Sequence, residues 1–399
     1  MTLFFAFVAL VSLGIWVYLI LLRGLFWRAD RELEDNMEEL NNWPSVVVLV
    51  PARDEADVIE KSLDSLLCQD YPGPCHVILI DDNSQDGTAR LAAVRAKDTG
   101  SQEHLTVVRA GDLPAGWSGK VWALSEGLKA AEQVAPGAHY VWLTDADISH
   151  WDSNLRQLVL KAETEKLDMV SLMAMLSCES KWERLLIPSF VFFFQMLYPF
   201  RWVANPKRET AAAAGGCILV NAEALVAAGG FQAIKGEAIG DCALAKRVKQ
   251  VALERGRRIW LGIGTECGSL RPYETLGPIW DMVARTAYTQ LGHSPRNLSY
   301  ALLGMFLTFL MPPLALIGGL IGAFFLDIDS IGSGLVVYLS GIASWGLMAL
   351  AARPTNEYYD QPFWMGFLLP LTAIVYMAMT ISSAWRHKSG RGPEWQGRV

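Results

Sequence analysis

Hydrophobic positions fall into two patterns along this chain. At the two ends they form long unbroken runs; in the middle they come as short β-branched runs separated by amphipathic stretches. Leu3 to Leu22 holds 20 residues without a charge. At 1.5 Å per residue, a helix of that length reaches about 30 Å, the thickness of a bilayer core. Leu298–Leu326, Ile331–Ala352 and Pro362–Trp385 are three further uncharged stretches long enough to span. Arg23, Arg28 and Arg31 follow the first run, whereas a signal peptide carries its charges before the apolar run; residues 1–23 are therefore expected to be a retained anchor. The same arginines place the N-terminus outside and the middle of the chain in the cytosol. This predicts a multi-pass protein of the inner (plasma) membrane with a cytoplasmic domain. Three crossings in 298–385 would put the basic tail 386–399 outside, against the charge rule. Pro312-Pro313 interrupts the first stretch, so a re-entrant or broken segment and a cytosolic tail are expected.

The middle block, 44–297, alternates strand and helix patterns. Ser45–Val50 reads as a buried parallel strand ending at Pro51, and Asp57–Leu67 as an amphipathic helix. His76–Ile80, Leu105–Arg109 and Tyr140–Leu143 read as further strands, with helices at Thr88–Lys97, Val121–Gln133 and Cys242–Ala252. The alternation predicts a doubly wound α/β sheet, whose ligands bind at the carboxyl ends of the strands. Polar clusters fall at those ends.

Composition narrows the class. With 34 Lys+Arg against 41 Asp+Glu the net charge is −7, and 52% of residues are hydrophobic against 19% charged. A disordered chain is excluded, and no nucleic-acid partner is expected without a basic excess. The six cysteines show no C-x-x-C pair and no metal-ligand spacing, so reduced thiols are expected.

Pro51-Ala-Arg-Asp-Glu55 follows the first strand, either as a solvated loop or as part of a site. Asp81-Asp82-Asn-Ser-Gln-Asp86-Gly-Thr88 follows the second. An Asx turn with a helix cap accounts for Asp86 and Thr88, but not for two adjacent acids, which need a compensating partner. Asp145-Ala-Asp147 ends the fourth strand; two carboxylates so spaced suit a divalent ion such as Mg2+ or Mn2+ with the diphosphate and ribose of a nucleotide. No P-loop and no G-x-G-x-x-G after the first strand is present. Gly116-Trp-Ser-Gly-Lys120 offers one cation for phosphate or a base edge, the alternative being a solvated lysine. Gly240-Asp241 opens a helical run, where the aspartate is either an N-cap or a general base.

In this order and at these strand ends, the motifs resemble family 2 glycosyltransferases of the GT-A fold. The resemblance extends over nearly the whole chain and is closest to the membrane-bound hopene-associated glycosyltransferases of hopanoid gene clusters, with ceramide glucosyltransferases as more distant relatives. It implies a nucleotide-sugar donor, expected to be a UDP-sugar, and a membrane lipid acceptor. It implies that Pro51, Glu55, Asp82, Lys120 and Asp145 bind the donor, Asp147 the metal, and that Asp241 is the base of an inverting displacement. One departure stands out. Where relatives carry Gln-x-x-Arg-Trp, this chain has Met282-Val-Ala-Arg285-Thr286, which argues for transfer of a single sugar; Arg285 would still neutralise the leaving diphosphate. Leu185–Phe200, 16 uncharged residues, reads as a helix in the membrane interface or as a domain-core helix. The implied function is metal-dependent, non-processive transfer of a sugar to a hopanoid or other isoprenoid hydroxyl. A ceramide-like or polyprenyl-phosphate acceptor, or a non-catalytic nucleotide-binding scaffold, are the alternatives.

Overall fold

The structure, a computed structural model, describes residues 2–30, 32–33, 40–237, 239–325 and 331–389. Arg31 and most of the expected basic tail, from 390 onward, lie outside the described residues. The chain divides into two compact units. One comprises Asp30–Ser177 and Trp202–Pro272; the other comprises Met1–Ala29, Cys178–Arg201 and Tyr273–Gly392.

The first unit is built on one sheet of eight strands: β1 (Val46–Ala52), β2 (Cys75–Asp81), β3 (Leu105–Arg109), β4 (Tyr140–Leu143), β5 (Ile148–His150), β6 (Leu167–Met175), β7 (Ile218–Asn221) and β8 (Arg258–Ser269). Their order is β3-β2-β1-β4-β7-β6-β8-β5. The α/β expectation holds, and β3 and β4 keep their expected bounds. The sheet is mixed rather than parallel throughout. β3, β2, β1 and β4 run parallel, β7 is antiparallel to both β4 and β6, β6 is parallel to β8, and β5 is antiparallel to β8. β1 is buried along its whole length, as its run of valine and leucine requires, and helices Ile59–Leu67, Gly119–Val134 and Asn154–Thr164 each bury one apolar face.

Strand direction decides what this sheet can gather. The carboxyl ends of β1, β2, β4, β6 and β8 share one edge. β7 runs the other way, so its entry, just after Gly215-Gly216, comes to that edge too. Segments far apart in sequence are thereby brought to one rim.

The second unit is helical. Among the described residues, five helices are long and apolar enough to cross a membrane: Leu3–Leu21, Lys181–Val203, Pro295–Gly322, Gly332–Tyr358 and Phe363–Lys388. The expected break at Pro312-Pro313 takes a specific form. The run stays helical, and the five residues Phe306–Leu310 form a π-turn between Pro295–Met305 and Met311–Phe325. Met311 N–H donates to Phe306 O, and Pro312 has no N–H to give. The freed carbonyls are taken from another helix: Ser12 Oγ donates to Leu307 O at 2.7 Å and Trp16 Nε1 to Thr308 O at 2.7 Å. In an apolar unit such substitution is what makes a proline tolerable. Small residues allow close packing here, since a Cβ on Gly319 would lie 2.6 Å from Tyr338 N.

Candidate active site

The loops after β1 and β2 are laced together. Asp54 N–H donates to Ser84 Oγ (3.0 Å), Glu55 N–H to Thr88 Oγ1 (2.9 Å), Ala56 N–H to Asp86 Oδ2 (2.8 Å), and Gln85 N–H to Asp54 Oδ1 (2.7 Å). Thr88 N–H donates to Asp86 Oδ1 at 3.0 Å, so Asp86 is the turn-and-cap residue its position suggests. The adjacent acids have their compensation: Asp82, fully buried, pairs with Arg53 at 3.7 Å, and Arg53 Nη1 also donates to the Asp82 carbonyl (2.5 Å). Pro51 is buried within β1 and shapes the strand end without offering a polar side chain.

Lys120 stands on the first turn of helix Gly119–Val134, and its ammonium pairs with Asp145. Asp241 stands on the first turn of Gly240–Glu254. Ile239 occupies the cap position of that helix and no side chain caps it, so the cap reading of Asp241 does not describe the geometry. Its carboxylate is turned to the sheet edge instead. A Cβ on Gly215 would come within 2.8 Å of Asp241 Oδ2 and 2.9 Å of Lys120 Nζ; the two charged groups thus meet over a glycine. Burial works against the Lys120 ammonium, but Asp145, Asp241 and, farther off, Asp147 hold its pKa above the ordinary lysine value. Burial pushes Asp145 up; Lys120 opposes this, while Asp147 and Asp241 repel it further.

Arg271, absent from the sequence reading, closes the group. It lies two residues beyond β8 and pairs with Glu55, with Asp57 at 3.0 Å and, through Nε, with Asp147 at 3.8 Å. The same rule that picked out the other strand ends would have found it, had β8 been recognised as a strand. Arg285 is not in this unit. It is exposed on helix Leu276–Gln290 of the helical unit.

The donor set suits a hard divalent ion. The Asp147 carboxylate is half-buried, and among the described residues its nearest cation is the Arg271 Nε, a buried N–H without a hydrogen-bond partner. Asp145 and Asp147 together offer oxygen donors at the rim, the chemistry that Mg2+ and Mn2+ take. The arrangement has a carboxylate able to take a proton, a lysine able to face phosphate, and two acids able to share a metal.

Residues 47–227 match the family described as Glycosyl transferase family 2. The mannosyltransferase PcManGT from Pyrobaculum calidifontis, solved with GDP-Man and Mn2+, is 19% identical. It matches over 97% of this chain and 99% of its own with a TM-score of 0.55. The glucosyl-3-phosphoglycerate synthase of Mycobacterium tuberculosis, solved with Mn2+, UDP-glucose and glycerol 3-phosphate, is 18% identical over 62% of this chain and 79% of its own, TM-score 0.40. No curated protein matches. The α/β sheet, with its acidic rim and flanking apolar helices, is of the GT-A type. The chain thus holds, over residues 47–227, a domain similar to those of family 2 glycosyltransferases.

Proposed function

We propose that this enzyme transfers one sugar from a nucleoside-diphosphate donor to a hydroxyl of a membrane lipid, with inversion at the anomeric carbon. The observation that carries the reading is the meeting of Asp241 and Lys120 over Gly215, beside Asp145 and Asp147. An acceptor hydroxyl is a poor nucleophile at neutral pH. The Asp241 carboxylate takes its proton as the new C–O bond forms, and the C–O bond to the diphosphate breaks on the opposite face. We assign Lys120 to the donor's base or to its departing diphosphate. Asp82 and Glu55 hold the nucleoside, and Asp145 the ribose or diphosphate. Asp147, with Asp145, would hold Mg2+ or Mn2+, whose positive charge stabilises the leaving diphosphate. PcManGT was solved in complex with GDP-Man and Mn2+, which accords with a metal here. A UDP-sugar is the donor the motifs suggest, and PcManGT was solved in complex with GDP-Man, so both bases belong in the assay.

The lipid acceptor is supported by the apolar helices and by the chain path around Lys181–Leu197. That helix follows β6 and precedes β7, and these two strands are hydrogen-bonded neighbours in one sheet. A segment between them must enter and leave a bilayer on the same side. Despite its length it therefore lies in or dips into the membrane rather than crossing it, as an interfacial helix does. We assign the sheet unit to the cytoplasmic face of the inner membrane, with Leu3–Leu21 as anchor. A polycyclic or linear isoprenoid alcohol of the hopanoid kind is the acceptor class proposed.

The test is purified full-length enzyme, a panel of radiolabelled UDP- and GDP-sugars, and total membrane lipid extract. Label should pass to an organic-soluble product only with Mg2+ or Mn2+. Donor hydrolysis without lipid labelling, or full transfer in EDTA, would overturn the proposal.

A further inference from the structure

Behind the acidic rim, within the same sheet, three residues with no sequence relation come together. The His150 ring, Cys217 Sγ and Cys267 Sγ lie with their ligand atoms within 4.8 Å of one another, and all three residues are buried, at 3%, 0% and 0% exposure. His150 ends β5 and faces Cys267 of β8 in register, while Cys217 immediately precedes β7. The sequence showed no metal spacing because the ligands come from three segments far apart in the chain.

The hydrogen bonds fix the state of the imidazole. Thr144 Oγ1 donates to Gly216 O at 2.9 Å, so its lone pair faces His150 Nε2 at 2.8 Å and accepts the N–H there. Nδ1 is then the bare, lone-pair nitrogen. Metal-bound histidines keep this kind of outer hydrogen bond on the nitrogen away from the metal. The Cys217 sulfur is an acceptor already, taking the Trp142 Nε1–H at 3.4 Å. A fully buried Asn154 amide lies against the same atoms, its nitrogen 2.8 Å from His150 Nδ1 and 3.9 Å from Cys217 Sγ, while its Oδ1 is buried without a partner. Nδ1 accepts from that amide N–H, and an orphaned amide oxygen beside two sulfurs and an imidazole lone pair is unusual for a packed core.

We propose that His150, Cys217 and Cys267 form a buried structural site for one thiophilic d10 cation, Zn2+, with the Asn154 amide oxygen, turned inward, as its fourth donor. Two thiolates, an imidazole and an oxygen fill the tetrahedral set that zinc takes, and sulfur donors exclude Mg2+ and Mn2+ from it. Binding releases the two thiol protons, so the dication and two thiolates are neutral together in a dry interior. The site would tie β5, β7 and β8 together directly beneath Thr144-Asp145-Ala-Asp147, whose first residue already holds His150.

Metal analysis of full-length protein, purified in detergent and dialysed against Mg2+, should find about one zinc per chain. Protein stripped of zinc and reloaded with Co2+ should show a thiolate-to-cobalt charge-transfer band in the near ultraviolet. Cys217→Ser and Cys267→Ser should each lose that band, whereas Cys68→Ser, an exposed cysteine outside the cluster, should keep it. Should the cluster variants not fold, wild-type protein decides: stripping zinc should raise the number of alkylatable thiols by two and lower Tm. Neither zinc nor a cobalt band in the wild type, or a Cys217–Cys267 disulfide in freshly purified protein, would overturn the proposal.

Discussion

The two halves of the sheet reach the same rim by different routes. From β3 to β4 every neighbour is parallel, and each functional acid sits one to four residues past the end of an apolar strand. From β7 to β5 antiparallel and parallel pairs mix, and the rim is supplied by a strand entry (Gly215), a helix start (Asp241) and a post-strand arginine (Arg271). The parallel half carries Glu55 and Asp82, the residues assigned to the nucleoside. The mixed half carries the assigned base and the contacts that adjust it. In this reading nucleotide binding rests on a repetitive, local pattern, and the chemistry rests on long-range pairing.

The comparison breaks most sharply at the junction of the halves. Asp147→Ala should abolish Mn2+- or Mg2+-dependent donor binding with the fold intact, measured by calorimetry with and without metal. Donor binding that does not depend on metal, in either protein, would remove the metal from the scheme. Next comes Gly215→Ala in the mixed half. Its methyl must displace Lys120 or Asp241, so transfer should fall about ten- to a hundredfold while Tm moves little. Unchanged transfer would show that the two groups need not meet there.

Arg271→Gln should act across both halves, since it releases Glu55 and Asp57 from one and Asp147 from the other. About a three- to tenfold rise in donor KM is expected with a smaller change in kcat, as for loss of a charge-assisted contact worth about 1 kcal/mol. The mildest change belongs to the parallel half alone. Asp86→Ala removes a turn and cap residue, costing about 0.5–2 kcal/mol of stability in thermal melts, with transfer per folded molecule unchanged.

The parallel half was legible because its strands are uniformly apolar and end in acids and turn formers; β3 and β4 were placed to the residue. β6 and β8 were missed for physical reasons. β6, Leu167–Met175, is buried on both faces, carries no alternation and includes Asp168, a buried acid held by Arg255 at 3.1 Å and Arg257 at 2.7 Å. β8 contains Gly262, Gly264 and Gly268, which read as breaks; a Cβ on Gly264 would lie 3.0 Å from Leu172 Cβ, so the glycine marks close approach instead. Without β8 the sequence offered no reason to look at Arg271. Asp241 stood out at a helix start after a glycine-containing loop, where an aspartate reads either as a cap or as a base, and the family pattern added to the second reading.

The central claim is that Asp241 is the base of an inverting transfer. It is tested most directly by Asp241→Asn, measured for donor binding and for lipid labelling in the same preparation, with the anomeric configuration of the wild-type product read by NMR. Asparagine keeps the size of the group but cannot take the hydroxyl proton. Donor binding should stay near wild type, transfer should fall by at least about a hundredfold, and the wild-type product should be inverted. Transfer at a near wild-type rate, or a retained anomer, would contradict the account.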